Sequence, residues 1–350
     1  MATFHPLKIN NIKRETSKAV SISFEVSDNL RSQYCFEAGQ YLTLKTNING
    51  NEVRRDYSIS SSPSSGELTV TIKEIPNGLF STYANSKLTI GDSLEVATPQ
   101  GRFTLDSSNN SEVIVGFAAG SGITPIMSLL KTTLELNNSQ QFILVYGNKT
   151  PEQTIFYDDI LSLKKAHHPR LQVQFLFSQS QEDEALFGRI DQGNTNFILK
   201  NTINLNAPSK FFLCGPEGMI HTVKAVLLEK GISEKDINFE LFTSSQTISE
   251  TNVAQKDGRV NVSVLVDDQV ESFEMEANQT ILEAALRQDI DVPYSCQGGV
   301  CSSCICRVTE GTAEMRQNSV LTDSEVAEGL VLSCQAVPTA SKIHVDFDDI

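Results

Sequence analysis

A chain of 350 residues is long enough for two or three domains of ordinary size. Hydrophobic residues form 39% of it and charged residues 20%, which is typical of a soluble globular protein. No apolar run approaches the ~18–20 residues that span a bilayer, and the N-terminus lacks the basic and apolar segments of a signal peptide. We therefore expect a cytoplasmic protein with no membrane insertion.

The net charge of −15 makes nucleic acid and anionic membranes poor partners. Most of the excess lies between Arg259 and Ile350, where 16 Asp and Glu face 5 Lys and Arg, a balance of −11. Such a segment is either a well-solvated surface or an acidic electron carrier that is attracted to a basic patch on a partner.

Residues 7–107 are rich in short strand patterns. Apolar or alternating runs at 20–26, 41–44 and 68–72 are separated by turn clusters at 49–51, 61–66 and 76–78. Many short strands with few helical patterns predict a closed barrel or a sandwich.

Residues 110–242 alternate between strand and helix patterns. Strands are predicted at 112–117, 141–146, 171–177, 210–213 and 237–241, and helices at 125–136, 157–165 and 217–230. Thr124 is predicted to cap the first helix, Pro125 to begin it, and Gly231 to end the last one. This alternation predicts a doubly wound parallel sheet.

The remaining residues divide into a polar stretch and a compact C-terminal segment. Residues 243–257 are polar and show no periodicity, which indicates a flexible linker. A hairpin is predicted at 260–266 and 270–275 around Asp267-Asp268, followed by a helix at 280–288. Thr322 and Glu325 form a predicted capping box before a short helix that Gly329 ends.

Four cysteines near the C-terminus have a distinctive spacing. Cys296, Cys301 and Cys304 follow the pattern C-x4-C-x2-C, and Cys334 comes 30 residues later. This is the ligand spacing of a plant-type 2Fe–2S cluster. Zinc sites favour pairs of C-x2-C, and disulfides are not expected without a secretory signal, so these alternatives and buried thiols explain the pattern less well.

The loop between the first two of these cysteines contains Gly298-Gly299, which permits the positive φ angles that a tight bend needs. Two further cysteines match no motif. We expect Cys306 to be a core residue or a strand residue beside the cluster, and Cys35 to be an incidental surface thiol.

Two short motifs in the first domain are suited to binding a phosphate and an aromatic ring. Arg55, Tyr57 and Ser58 end a predicted strand, and they could hold a phosphate and stack a ring. Gly78 and Ser81 lie at a turn that opens a helix, whose first amides could cradle a phosphate. Taken alone, the first motif is better explained by an ordinary Arg–Tyr surface pair, and the second could be an ordinary helix cap.

Two loops of the α/β region lie where such sheets bind ligands. Gly120-Ser121-Gly122 follows its first strand at a helix N-terminus, the usual pyrophosphate position, although the full G-x-G-x-x-G pattern is absent. Cys214-Gly215-Pro216 follows a later strand at the same edge. From location alone, a buried structural cysteine is the better explanation of Cys214.

Taken in order, these motifs resemble those of the ferredoxin–NADP reductase superfamily with a plant-type ferredoxin domain added at the C-terminus. The resemblance covers essentially the whole chain. It implies a multidomain protein with a flavin-binding antiparallel β-barrel at 1–108, an α/β doubly wound NAD(P)-binding domain at 109–243, a linker at 244–258 and an α+β β-grasp ferredoxin domain at 259–350.

The resemblance also implies roles for particular residues. In the flavin site, which takes FAD rather than FMN, Arg55 pairs with a phosphate, Tyr57 lies against the isoalloxazine, Ser58 lies near N5, and Gly78 and Ser81 hold the pyrophosphate. The nicotinamide-nucleotide site comprises Gly120, Ser121, Gly122, Thr124, Lys149, Cys214, Gly215 and Pro216, with Phe242 closing the reductase module. Tyr57, Ser58 and Cys214 shape the path of the hydride, and Cys296, Cys301, Cys304 and Cys334 bind the 2Fe–2S cluster.

The choice of nucleotide depends on the strand ends near the adenosine ribose. No acidic residue follows the second strand of the α/β region, where Lys149 and Thr150 could meet a 2′-phosphate. Gln179 follows the third strand, at a position where NADPH-specific relatives carry Arg. We therefore expect a modest preference for NADPH, with NADH still used.

The implied function is transfer of electrons from NAD(P)H through a flavin to a 2Fe–2S cluster and on to an oxygenase component, a di-iron enzyme built of several chains. The similarity is greatest to reductases of phenylacetyl-CoA epoxidases, and those of steroid 9α-hydroxylases share the layout. The electron-transfer subunit of dihydroorotate dehydrogenase has a much shorter gap than that between Cys304 and Cys334. The non-enzymatic alternative is a redox sensor, which the intact nicotinamide loop and Cys214 disfavour.

Overall fold

The structure is a computed structural model that describes residues 3–105, 112–136, 139–205, 207–242 and 258–350. It divides into two compact units, Phe4–Glu240 and Leu241–Ile350 with Met1–Thr3. The linker predicted at 244–258 lies outside the described residues except for Gly258, and so does the domain boundary predicted at 108–109. Among the described residues, no helix has both the length and the apolar character needed to cross a membrane.

The larger unit begins with an antiparallel sheet. Its strands are β1 (Phe4–Thr16), β2 (Ala19–Glu25), β3 (Tyr41–Ile48), β4 (Asn51–Ser58), β5 (Leu68–Lys73) and β6 (Ser93–Ala97), and helix α1 (Leu79–Ser86) lies between the last two. The strand order is β4-β3-β6-β1-β2-β5. Ile59, just after β4, pairs with Val70 on β5, so the two edges of the sheet meet and the sheet curls into a barrel. The predicted antiparallel barrel is confirmed.

The second part of this unit is a parallel sheet with its connecting helices. In chain order the elements are β7 (Val113–Ala119), α2 (Ile123–Leu136), β8 (Gln141–Asn148), α3 (Tyr157–Ala166), β9 (Leu171–Phe177), β10 (Leu186–Phe187), α4 (Gln192–Asn201), β11 (Ser209–Cys214), α5 (Glu217–Glu229) and β12 (Ile237–Glu240). The strand order is β10-β9-β8-β7-β11-β12, with every pair parallel. The predicted doubly wound sheet is confirmed, and its order reverses between β7 and β11, where such sheets bind ligands.

The start of α2 differs from the prediction. Thr124 is the second residue of the helix rather than its cap, because a 3₁₀ turn at Gly120–Gly122 runs directly into Ile123. The Thr124 Oγ1 donates to the carbonyl of Ser121 at 3.1 Å, so the hydroxyl ties the helix back to the glycine turn. Pro125 still lies in the first turn, where its missing N–H leaves no helical bond unmade.

The smaller unit has mixed α+β structure. Its elements are β13 (Arg259–Val266), β14 (Gln269–Glu276), α6 (Ile281–Arg287), β15 (Ile305–Glu310), β16 (Ala313–Met315), α7 (Asp323–Ala327), β17 (Leu330–Leu332), β18 (Ala336–Pro338) and β19 (Lys342–Asp346). Five strands form a sheet in the order β14-β13-β19-β15-β17, and β16 pairs with β18. The parallel pairing of β13 with β19 beside the antiparallel β13–β14 hairpin gives the predicted α+β fold.

Local signals in this unit worked as the sequence predicted. Asp267 and Asp268 have φ angles of 51° and 58°, the left-handed values that a two-residue hairpin turn requires. The capping box of Thr322 and Glu325 is present at α7, and Gly329 follows that helix with a φ of 93°. Short-range sequence signals therefore predicted where these elements begin and end, although they did not predict how the elements pack together.

Candidate functional site

The predicted flavin motif lies at the end of β4. Arg55 and Tyr57 lie two residues apart and so share a face of the strand. The Tyr57 ring packs on the Phe80 ring with centroids 5.5 Å apart, and burial raises the pKa of its hydroxyl, which therefore stays protonated. Arg55 is exposed and its Nη1 donates to the Arg54 carbonyl at 2.6 Å, so the guanidinium retains further donors for an anion.

The second flavin motif opens helix α1. Gly78 caps the helix, and a Cβ at this position would come within 2.3 Å of the Ser81 Oγ and 2.5 Å of the Ile75 Cγ1, so only glycine is accommodated. The buried Ser81 Oγ accepts from the Ile75 amide at 3.3 Å and donates to the Gly78 carbonyl at 3.4 Å. These long bonds shape the turn, and the helix start beside it is suited to a phosphate.

Three polar side chains converge where β4, β11 and β12 end. The Ser58 Oγ donates to the Glu240 Oε2 at 3.4 Å, and Glu240 is the register partner of Cys214 across β11 and β12. The pKa of Glu240 is raised to about 8: burial is the main cause, the Ser58 hydrogen bond opposes it, and the negative charge of Asp56 adds to the rise. Cys214 is fully buried, and burial together with the nearby Glu240 charge holds the pKa of its thiol well above the usual value.

Sequence reasoning placed Ser58 and Cys214 at this site but missed Glu240. The carboxyl lies between two predicted hydride-path residues that are 156 positions apart in the chain. One signal was available: Glu240 ends the last strand of the parallel sheet, at the edge where these sheets bind ligands. At neutral pH a carboxyl with this pKa is mostly protonated, so it can donate as well as accept a hydrogen bond.

The two predicted nicotinamide-nucleotide loops touch each other. A Cβ on Gly122 would lie 2.1 Å from the Cys214 carbonyl oxygen, so the turn after β7 packs directly on the turn after β11. Gly215 makes a similar approach, with a hypothetical Cβ 3.1 Å from that of Ala119. The Tyr146 hydroxyl donates to the Gly120 carbonyl at 3.0 Å and holds the first loop from the neighbouring strand.

A lysine from the barrel also reaches this loop, and sequence reasoning did not identify it. The Nζ of Lys73, at the end of β5, lies 3.3 Å from where a Cβ on Gly120 would be. Burial lowers the pKa of Lys73, and the positive charges of Lys149 and Lys18 lower it further. Within the part of the chain that the structure describes, the Lys73 ammonium has no hydrogen-bond or acidic partner, and a phosphate at the loop would supply one.

The residues predicted to select the nucleotide lie at adjacent strand ends. The Gln179 amide donates to the Lys149 carbonyl at 2.9 Å, so these residues are neighbours beyond β8 and β9, and Lys149 is exposed. The buried Nδ2 of Asn148, one residue earlier, has no partner among the described residues. Besides Lys73, this side-chain amide is a second group near the nucleotide loops that sequence reasoning did not identify.

The cysteine loop of the smaller unit bends almost as predicted. Gly299 has a φ of 72° and a hypothetical Cβ 3.0 Å from the Gln317 carbonyl oxygen, so glycine is required there. The other positive φ belongs to Gln297, at 53°, and not to Gly298 as expected. Gly298 instead turns its amide toward the Cys296 sulfur, to which it donates at 3.3 Å.

The four predicted cluster ligands lie on this loop and on the turn after β17. A hydrogen bond between the Cys304 and Cys334 thiols raises the pKa of Cys304 and lowers that of Cys334, and both thiols are within electrostatic range of Cys296. Gln335 donates to the Cys334 sulfur at 3.6 Å. Among the described residues, no three His, Cys, Asp or Glu side chains surround a position suited to a single metal ion.

Amide donors around clustered thiols suit a 2Fe–2S cluster, whose thiolates and sulfides accept hydrogen bonds. The other thiols lie where the sequence placed them. Cys306 is fully buried on β15, where burial raises the pKa of its thiol. Cys35 is exposed, and its thiol donates to the Arg31 carbonyl at 3.5 Å.

Fold and site together define a flavin-, nicotinamide- and iron–sulfur-dependent reductase. Three family models match the chain: an oxidoreductase FAD-binding domain at 6–105, an oxidoreductase NAD-binding domain at 117–225 and a 2Fe-2S iron-sulfur cluster binding domain at 264–339. The predicted FAD, NAD and 2Fe–2S domains are confirmed.

Comparison of the whole chain with known proteins identifies its family more closely. The chain is 40% identical to a component of the 1,2-phenylacetyl-CoA epoxidase of Escherichia coli, covering 99% of both chains. It is 31% identical to the ferredoxin reductase component of 3-ketosteroid-9-alpha-monooxygenase of Rhodococcus rhodochrous, covering 97% of this chain and 96% of the relative. The chain therefore belongs to the family of FAD- and 2Fe–2S-containing reductases that deliver electrons to oxygenases.

The fold agrees with a solved structure of similar layout. Phthalate dioxygenase reductase covers 98% of both chains with a TM-score of 0.63 at 24% sequence identity. At this identity the similarity concerns the fold alone.

Proposed function

We propose that this chain is the reductase component of a phenylacetyl-CoA epoxidase, a di-iron oxygenase built of several chains, and that it works in the cytoplasm. The observation that carries the proposal is the 40% identity to the epoxidase component over 99% of both chains, against 31% for the steroid monooxygenase component. Membership of the family already implies an oxygenase partner. The proposal adds that this oxygenase acts on phenylacetyl-CoA.

The proposal includes the domain limits 1–108, 109–243, 244–258 and 259–350, because the three matched segments lie inside them. It also includes NADPH as the preferred nucleotide, with NADH still accepted. The exposed Lys149 beside Gln179 supports this preference, since a single cation gives a moderate grip on a 2′-phosphate.

In the flavin site, Arg55 would hold a flavin phosphate, and the start of α1 with Gly78 and Ser81 would hold the pyrophosphate. Tyr57 would cover one side of the ring, and its contact with Phe80 fixes the orientation of the phenol. A flavin held by these residues would supply both two-electron and one-electron redox chemistry, which is what linking a hydride donor to a one-electron cluster requires.

In the nicotinamide site, the neutral Cys214 thiol and the protonated Glu240 carboxyl present an uncharged, hydrogen-bonding surface. The raised pKa values of both groups keep negative charge away from the reacting edge at neutral pH. Ser58 links this surface to the flavin strand through its bond to Glu240. Gly122 packs so closely on the Cys214 backbone that a side chain at position 122 would push the two turns apart and disturb the nucleotide site between them.

A reconstituted assay tests the proposal. The purified chain, NADPH and the remaining epoxidase components are mixed with phenylacetyl-CoA, and both NADPH oxidation and epoxide formation are followed. We expect NADPH oxidation that depends on the acyl-CoA and matches epoxide formed. In the control mixture, a steroid 9α-hydroxylase oxygenase replaces the epoxidase components and a 3-ketosteroid replaces phenylacetyl-CoA. Faster turnover in the control would show that the chain is the reductase of a steroid hydroxylase instead.

A further inference from the structure

Two buried hydroxyl groups in the smaller unit have no hydrogen-bond partner. The Oγ atoms of Ser295 and Ser333 are both buried and unpaired, and the two residues are 2% and 0% exposed. Among the described residues of this unit, they are the only buried side-chain nitrogen or oxygen atoms without a partner. Ser295 immediately precedes Cys296, and Ser333 immediately precedes Cys334.

The backbone around Ser333 leaves its side chain little freedom to find another partner. Its amide donates to the Cys304 carbonyl at 2.9 Å, and its carbonyl accepts from the Leu282 amide at 3.1 Å. The residue is therefore fixed between the cysteine loop and helix α6. Rotation about χ1 and about the C–O bond is left to the buried hydroxyl, and the residues on either side of Ser333, Leu332 and Cys334, both belong to the core of this unit.

Leaving a hydroxyl buried without a partner costs about 1–3 kcal/mol, and proteins rarely keep such groups without a use. Two such hydroxyls lie next to two proposed ligand cysteines, which indicates that the sulfur atoms of a bound cluster would be their hydrogen-bond acceptors. Thiolate and sulfide sulfurs are negatively charged acceptors, and hydrogen bonds to them are one of the means by which proteins set the reduction potential of iron–sulfur clusters.

We propose that the hydroxyls of Ser295 and Ser333 donate hydrogen bonds to sulfur atoms of the 2Fe–2S cluster and raise its reduction potential. The cluster gains one negative charge when it accepts an electron, so a donor stabilises the reduced form more than the oxidised form. In this proposal the two hydroxyls act directly on the cluster sulfurs and take no part in hydride transfer. This inference rests on the cluster ligands proposed above.

The experiment measures the midpoint potential of the cluster in the full-length holoprotein. Ser295→Ala, Ser333→Ala and the double variant are loaded with cluster, and visible absorption verifies the cluster content before EPR-monitored redox titration. We expect each lost bond to shift the equilibrium about tenfold toward the oxidised cluster, which is about 59 mV for a one-electron couple. Ser333→Thr keeps a hydroxyl and should restore the wild-type potential.

Thr195→Val is the matched control. Thr195 also has a buried hydroxyl without a partner, but it lies on α4 in the larger unit, so its loss should leave the cluster potential unchanged. Wild-type potentials in both Ala variants would overturn the proposal.

A second measurement can test the proposal on the wild type even where a variant fails to load. Pulsed EPR of the reduced wild-type cluster before and after exchange into D₂O should show exchangeable protons coupled to the cluster, one of which disappears in each Ala variant that loads. Absence of such couplings in the wild type, beyond those of the backbone amides, would also overturn the assignment. Failure of the wild type to show iron–sulfur absorption would instead refute the ligand set.

Discussion

Glu240 connects the end of β4, through Ser58, with the end of β11 at Cys214, and its charge state should affect stability. Its pKa is raised from 4.5 to about 8, so the folded protein holds a proton that the unfolded chain releases above pH 4.5. The free energy of unfolding should therefore fall as the pH rises from about 5 through 8. Glu240→Gln keeps a neutral hydrogen-bonding group and should flatten this part of the pH profile.

Denaturant unfolding at several pH values between 5 and 9 measures the effect. Glu234→Gln is a suitable control, because Glu234 pairs with Lys224 at 2.6 Å and has a lowered pKa, so its removal should leave the slope above pH 5 unchanged. Equal slopes in the wild type and the Glu240→Gln variant would show that Glu240 ionises without cost.

Lys73 should act on the part of the nucleotide that NADH and NADPH share. Its ammonium lies at the Gly120 loop without an acidic partner, and a pyrophosphate there would be common to both nucleotides. We expect Lys73→Gln to weaken binding of both by about 10–150-fold, the equivalent of about 1.5–3 kcal/mol for a charge-assisted contact. Nucleotide dissociation constants, with the exposed Lys87→Gln as control, provide the measurement. A loss confined to NADPH would place Lys73 at the 2′-phosphate instead.

Lys149 should have the complementary effect, on NADPH alone. It is exposed at the end of β8, and Gln179 beside it supplies no charge. Lys149→Ala should lower kcat/KM for NADPH by about 10–150-fold and leave that for NADH nearly unchanged, while Gln179→Arg should sharpen the NADPH preference. A wild-type protein that favours NADH, or a Lys149→Ala variant with an unchanged ratio of the two kcat/KM values, would contradict the assignment.

At the scale of elements, the sequence predicted well whatever depends on neighbours in the chain. The strand at Leu171–Phe177, the hairpin turn at Asp267 and the capping box at Thr322 follow from residues a few positions apart. Thr124 was misplaced because the preceding glycine turn is itself helical and begins the helix earlier. Glu240 and Lys73 were missed because their roles depend on which distant strands meet, and pattern reasoning on one sequence does not specify that register.

The contact between the turns after β7 and β11 is an element-scale feature with a direct test. Gly122→Ala places a methyl group 2.1 Å from the Cys214 carbonyl oxygen, so the two turns must separate. We expect lower stability, by about 1–3 kcal/mol as for other overpacked sites, and weaker nucleotide binding with FAD content unchanged. Gly218→Ala on α5 meets no atom within 4 Å and should be neutral or slightly stabilising. Normal nucleotide binding by the Gly122→Ala variant would show that this contact is unimportant.

At the scale of the whole molecule, the division into two units separates two kinds of chemistry. The unit Phe4–Glu240 contains the proposed flavin and nicotinamide residues up to Glu240, and the unit that begins at Leu241 contains all four cysteines proposed to bind the cluster. That second unit also carries most of the negative charge, 16 acidic against 5 basic residues between Arg259 and Ile350. This excess of negative charge in the unit proposed to hold the last electron carrier favours a partner with a basic docking site.

This division predicts that the two half-reactions can be separated by one substitution. Cys296→Ala removes a proposed cluster ligand. Because the larger unit folds around its own core, FAD content and FAD reduction by NADPH should remain as in the wild type. Electrons should still reach ferricyanide, which can accept them from the flavin, but reduction of cytochrome c and of the oxygenase should be lost. Cys35→Ser, which alters an exposed thiol of the larger unit, should change neither activity. Cytochrome c reduction at the wild-type rate in the Cys296→Ala variant would mean that electrons leave directly from the flavin and that the cluster is not the relay.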